Sequence, residues 1–205
     1  MEVFLFPLVN VTLFPKTTKP LNIFEQRYLS MVKDSIQKNI PIAIGFIEDA
    51  SQVVPVKVGE KVPFVRDVAG FGMPQIVEER LNGTLLVFLQ GKGKVRLGKV
   101  KENNGAYIIC EAEEVIEDYE VKPEAAAHLQ ALHRVLIRWI HQHITEPTQR
   151  DMFLANIQSP AEIIGAFSAY MIRDYDLQQM VLEYDNINDK ISYLFRLTQS
   201  NELTT

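Results

Sequence analysis

Of the 205 residues, 47% are hydrophobic and 23% charged, ordinary proportions that exclude wholesale disorder. The net charge of −5 is uneven: residues 1–115 hold 14 Lys and Arg against 13 Asp and Glu, and residues 116–205 hold 7 against 13. The acidic second half weighs against a polyanionic partner, and the single cysteine, Cys110, excludes an internal disulfide and a Cys/His zinc site, leaving a structural thiol.

The chain opens with two apolar stretches, each stopped by Phe-Pro, in FLFPLVNVTLFPKTTKPLNIFEQRY (4–28). A secretory leader needs a positive start, an unbroken apolar run and a small-residue cleavage site. Glu2 stands where the positive charge belongs, and Pro7, Asn10 and Pro15 break the run. Nothing approaches the roughly 20 apolar residues of a spanning helix. The expectation is a folded cytoplasmic protein with no membrane association.

Up to about Ile116 the apolar residues come in short runs or alternate, with Gly and Pro between them, which predicts strands at VFLFPL, VTLF, IPIAIGFI, VPFVRDVAG, PQIVEER, TLLVFLQG, VRLGKV and YIICEAEEV. Asn82-Gly83 predicts a hairpin, because both residues tolerate positive φ, and KENNGAY (101–107) predicts a second. One helix interrupts the strands in EQRYLSMVKDSIQK, where Tyr28, Leu29, Val32 and Ile36 share a face. From Pro123 the period becomes helical. Leu129, Leu132, Leu136 and Ile140 form one stripe, SPAE (159–162) is a capping box opening a helix to about Ile172, and DLQQMVLEY and NDKISYLFRLTQ supply two more helices. IEDYEVKPEA is the joint, which divides the chain into a β-rich 1–117 and a helical 118–205.

No catalytic signature emerges. QGKGKVRLG (90–98) lacks the Ser/Thr of a phosphate loop, and there is no GxSxG elbow, HExxH pair or dinucleotide fingerprint. The histidines at 128, 133, 141 and 143 lack the i,i+4 spacing of a helical metal pair. No cofactor or metal is called for, and the expectation is a protein that is not an enzyme. Two features suit binding. Lys92, Lys94 and Arg96 alternate, so on a strand they share a face, either solvated or open to an acidic partner, with Val95 and Leu97 inward. GFGMPQ (70–75) reads as a loop whose Phe71 and Met73 either contact partners or tuck beneath the sheet.

The order of motifs in FPLVNVTLFPKTTKPLNIFEQRYLSMV resembles the start of the Lon protease N-terminal, substrate-binding domain family. VAGFGMPQIVEERLNGTLLVFLQGKGKVRL and the helical tail, where Lys190-Ile191 stands in for an Arg-Leu, extend the likeness over nearly the whole chain. The resemblance is to freestanding bacterial members without ATPase or peptidase domains. It implies an α+β fold, a PUA-like β-barrel followed by an α-helical bundle, with Leu21, Ile23, Phe24, Tyr28 and Leu29 burying the first helix against the barrel. It further implies a non-enzymatic, ATP-independent module that binds protein or unfolded polypeptide through the barrel face and the cleft between subdomains, with Phe71, Met73, Lys92, Lys94 and Arg96 as the contact residues. Self-association is compatible with it. The alternative is an RNA-binding PUA-like module using the basic stripe, which Lys99 and Lys101 extend; an isoelectric point near 5.4 and the lack of interleaved aromatics weigh against it.

Overall fold

A computed structural model describes residues 1–103 and 107–200. Two compact units follow one another, Met1–Val115 and Ile116–Thr205.

The first unit is a closed barrel. β1 (Glu2–Val9) pairs in parallel with β3 (Ile42–Ile47), joined through β2 (Thr18–Ile23) and α1 (Gln26–Lys38). β4 (Val68–Glu79), β5 (Leu85–Asn103) and β6 (Ile108–Val115) are antiparallel neighbours, and β6 returns to β1. The 19-residue β5 serves three partners: β4 lies along one edge, while the other carries β2 over Leu85–Gln90 and β6 from Lys94 onward. The two predicted strands TLLVFLQG and VRLGKV are therefore one.

Continuous apolar runs, rather than alternation, are what a strand buried on both faces requires. β1 shows why VFLFPL is such a run. Val3 and Leu5 enter one apolar cluster with Ala69, Phe71, Val95 and Leu97 inside the barrel. Phe4 and Phe6 enter a second, with Met31 and Val32 of α1 and with Leu85, Val87 and Leu89. The helix turns a slightly different face inward than its pattern predicts: Tyr28, Met31, Val32 and Ser35 are buried, whereas Ile36 is exposed. Ser35 explains the shift, since its hydroxyl donates to the Ile40 carbonyl at 2.6 Å and closes the turn after the helix.

VTLF is not a strand. Thr12, Leu13 and Phe14 are buried outside the ladder, and the Leu13 and Phe14 carbonyls press on β4 and β5 where Gly70 and Gly91 stand. A Cβ at either glycine would overlap those oxygens. VPFVRDVAG is a strand only from Val68; before it, Val62 and Phe64 plug the barrel from a loop. The β4–β5 hairpin forms where Asn82-Gly83 predicts it, with a five-residue connection instead of a two-residue turn. Gly83 alone takes positive φ, at 80°, and its N–H donates to the Arg80 carbonyl. The second predicted hairpin loop falls largely on residues 104–106, outside the described residues.

In the second unit α2 (Pro123–His143) packs against α4 (Pro160–Met171) and α6 (Ile187–Gln199), with α3 (Pro147–Ala155) and α5 (Tyr175–Glu183) alongside. The stripe Leu132, Leu136 and Ile140 is fully buried, and Ser159 and Glu162 make the reciprocal capping box that SPAE predicts. α3 has no counterpart in the sequence reading. Its signal is Glu146-Pro147: proline suits the first helical position, and the Glu146 carboxylate accepts from the Thr148 and Gln149 amides. The segment before α2 is stitched to α6 by Lys122 N–H on the Asn188 side chain, by Asn188 on the Glu120 carbonyl, and by a buried Lys190–Glu117 ion pair.

Candidate functional site

The five residues singled out in the sequence do not form one surface. Gly70–Gln75 is strand, not loop. Phe71 is 6% exposed, packed in the barrel interior with its ring over Gly93, so it presents nothing to a partner. Met73, two residues on and on the same side of β4, is half-buried. The strand leaves the barrel between them. A bulge marks the exit: Phe71 pairs with Gly93 and Gly72 with Gly91, and Lys92 is the extra residue. Lys92 is exposed. Lys94 is fully buried, because it pairs with Gly70 and shares the face on which Leu13 and Phe14 lie. Arg96 is exposed beyond that cover, opposite Glu113 of β6. The basic stripe is therefore interrupted at its centre, and its far end is matched by acid, since Lys101 pairs with Glu2.

Beyond the bulge, β2, β5 and β4 run on as a ribbon. Register places Pro20, Phe88 and Gln75 in one row, with Met73 and Gln90 beside them and Leu86 on the other flank. This face is open: Phe88 is exposed, Met73 and Leu86 are half-buried, and Val77, the extra residue of the second bulge, is exposed. The ribbon's opposite face is closed by Leu85, Val87 and Leu89. Phe24, expected to help bury the first helix, is 72% exposed one residue past β2, and the packing role belongs to Ile23, Tyr28 and Met31. Strand alternation decides this: Ile23 pairs with buried Leu85 and points inward, so its neighbour points out.

A second open apolar surface is a cavity of about 520 Å³ lined by alternate β1 residues Leu5, Pro7 and Val9, by Ile47, by the segment Val53–Val56 with Phe64, and by Arg27, Tyr28, Tyr107 and Ile108. Burial and a hydrogen bond to the Asp34 carboxylate push the Tyr107 phenol up to about 12. That same bond, with one from Lys38, holds the Asp34 carboxyl below its ordinary value. Burial pushes the Cys110 thiol up to about 11, as fits a structural cysteine. Among the described residues no three His, Cys, Asp or Glu side chains gather as a metal site, and no helix is long and apolar enough to cross a membrane.

These features define a class: an α+β protein with a closed barrel that keeps open apolar surface, followed in sequence by a five-helix unit. The chain belongs to the ATP-dependent protease La (LON) substrate-binding domain family, whose family model matches residues 2–200. Lon protease 1 of Myxococcus xanthus is 27% identical over 200 residues, 95% of this chain and 24% of that protein. The Lon protease of Buchnera aphidicola from Acyrthosiphon pisum is 22% identical over 197 residues. The chain thus spans about a quarter of the length of these relatives. Two solved structures share the fold. The Lon N-terminal domain protein from Xanthomonas campestris has a TM-score of 0.68 at 16% identity, covering 96% of this chain and 98% of that one. The N-terminal domain of Mycobacterium avium complex Lon protease has 0.71 at 12%, covering 97% and 98%.

Proposed function

We propose that this chain is a non-enzymatic, cytoplasmic polypeptide-recognition module whose two units act as one domain and whose partners are unfolded or partly unfolded proteins. The observation that carries the reading is the ribbon face of Met73, Leu86 and Phe88, left open although the ribbon's other face is a complete core. Open apolar patches on an otherwise well-packed unit are binding surfaces. Lys92 and Arg96, exposed on the same strand, steer acidic segments toward it. The test is fluorescence anisotropy with reduced, carboxymethylated α-lactalbumin against the native protein. The unfolded form is expected to bind and the native form not. Phe88→Ser is expected to weaken binding through faster dissociation, and Lys92→Glu through slower association that recovers as salt screens charges over about 8–10 Å. Equal affinity for both forms of the probe, or no effect of Phe88→Ser, defeats the reading. Purified protein is expected neither to hydrolyse ATP nor to cleave casein. Retention on heparin at physiological salt, stronger than retention on unfolded protein, transfers the assignment to RNA.

A further inference from the structure

The cavity beside β1 has a chemistry of its own. Its floor is apolar and buried, formed by Leu5, Ile47, Val56 and Phe64, and Val9, Val53 and Val54 at its rim remain 41–49% exposed. Its volume of about 520 Å³ lies in the range of small-ligand sites. Among its lining residues Arg27 alone is charged. The two phenols in the wall, Tyr28 and Tyr107, are both shifted upward by burial, so they stay neutral, and no lining residue repels an anion. The guanidinium carbon lies over the Tyr28 ring, 4.5 Å from its centroid. Its Nε and one terminal nitrogen meet a single oxygen of Glu25, at 2.9 and 2.8 Å. Both partners are about half exposed, and an exposed pair of this kind holds weakly. Glu25 occupies the N-cap of α1, where its charge suits the helix dipole, yet its side chain makes no capping bond that would fix its position.

We infer that this cavity takes the C-terminal end of a polypeptide finishing in aliphatic residues, with the last side chains on the apolar floor and the α-carboxylate on Arg27, where the Glu25 carboxylate now rests. An apolar floor under one exchangeable guanidinium is complementary to an aliphatic group that ends in a carboxylate. Within a polypeptide, the terminal residue joins those two features on one backbone atom. The inference rests on the polypeptide-recognition reading and deepens it, because it assigns a second surface, apart from the ribbon, to one part of the partner.

The experiment is fluorescence anisotropy on the full chain with an N-terminally labelled hexapeptide ending Leu-Val, as the free acid and as the C-terminal amide. The acid is expected to bind about tenfold more tightly than the amide, the difference a charge-assisted hydrogen bond makes. Arg27→Gln is expected to bring the acid down to the amide's affinity and leave the amide unchanged. Glu25→Gln, which removes the internal competitor, is expected to strengthen the acid and leave the amide unchanged. Val54→Asp, at the rim, is expected to weaken both. All three substitution sites are exposed, and melting curves confirm that the variants fold. Equal binding of acid and amide overturns the inference, as does indifference to Arg27→Gln or to Glu25→Gln. Displacement of the peptide by decanoate at equal or lower concentration assigns the cavity to a free fatty acid and overturns it as well. If carboxymethylated α-lactalbumin binds while the free-acid peptide does not, this inference fails and the polypeptide-recognition reading stands; if neither binds, both fail.

Discussion

The two units bury their apolar residues by different means, and the contrast explains where open surface can persist. In the barrel unit the same strands feed two clusters. Val3 and Leu5 face one and Phe4 and Phe6 the other, so every inner position of β1 is enclosed. Once β4 and β5 run past the barrel, one of those faces loses its cover, and Met73, Leu86 and Phe88 stand at the surface without any loss to the cluster behind them. The helical unit has one stripe on α2 and completes its packing with polar stitches, Asn188 on Glu120 and Lys190 on Glu117. A two-faced sheet can give up one face to binding; a helix whose single stripe is already buried by its neighbours has none to give.

The largest expected effect lies in the two-faced sheet. Phe4 is fully buried, its ring tilted against Tyr107 with centroids 4.9 Å apart, and Phe4→Ala is expected to cost about 3–5 kcal/mol, read from denaturant unfolding. A loss under about 1 kcal/mol would mean that α1 collapses into the space, and the second face would then be no rigid core. In the helical unit, Lys190 and Glu117 are 5% and 3% exposed, and Lys190→Met leaves the carboxylate buried without its cation, at about 3 kcal/mol. The double variant Lys190→Met, Glu117→Leu should recover most of that loss, because replacing a whole buried pair by apolar groups is often neutral. If it does not, the surrounding stitches and not the pair hold the segment before α2.

Much of the barrel was legible because strand periodicity is local. The fully apolar run at β3 and the alternation Val95, Leu97 read correctly in one dimension. What failed depends on segments distant in sequence. Lys94 reads as a surface residue by alternation, and nothing near it announces that Leu13 and Phe14 will cross its face. The only trace is a pair of glycines, Gly70 and Gly91, set where a carbonyl needs clearance. Phe71 and Met73 look equivalent in GFGMPQ, and the point where β4 leaves the barrel, which separates them, is decided by a bulge in another strand. The cavity was not visible at all, since its lining comes from β1, α1, β6 and the loop after β3.

A smaller effect concerns the link between α1 and β6. The Tyr107 phenol, desolvated by burial, bonded to Asp34 and near Glu102, keeps its proton up to about 12, against 10.0 in a free chain. The sign follows from proton counts: between those values the unfolded chain has released the proton and the folded one has not, so stability falls as pH rises. Its contribution is complete below pH 10 and gone above about 12. Tyr107→Phe is expected to flatten that part of the alkaline slope and, because the same bond holds the Asp34 carboxyl down, to reduce the stability lost on the acid limb as well. An unchanged slope would place the alkaline transition on other phenols.

The smallest expected change in stability is at Phe24, and it sharpens the contrast most. Phe4 and Phe24 are the same residue type in the same unit, one fully buried and the other 72% exposed. If exposure here is real surface, Phe24→Ala should move stability by no more than about 0.5 kcal/mol, the usual range for surface substitutions. The ring stands at the end of β2, the outer strand of the open ribbon, so the same substitution should weaken capture of unfolded α-lactalbumin through faster dissociation, with little dependence on salt. A melting curve near that of Phe4→Ala would show that the ring packs inward in solution, and the ribbon's outer strand would then belong to the core. Unchanged stability together with unchanged capture would confine the contact surface to Met73, Leu86 and Phe88, on β4 and β5.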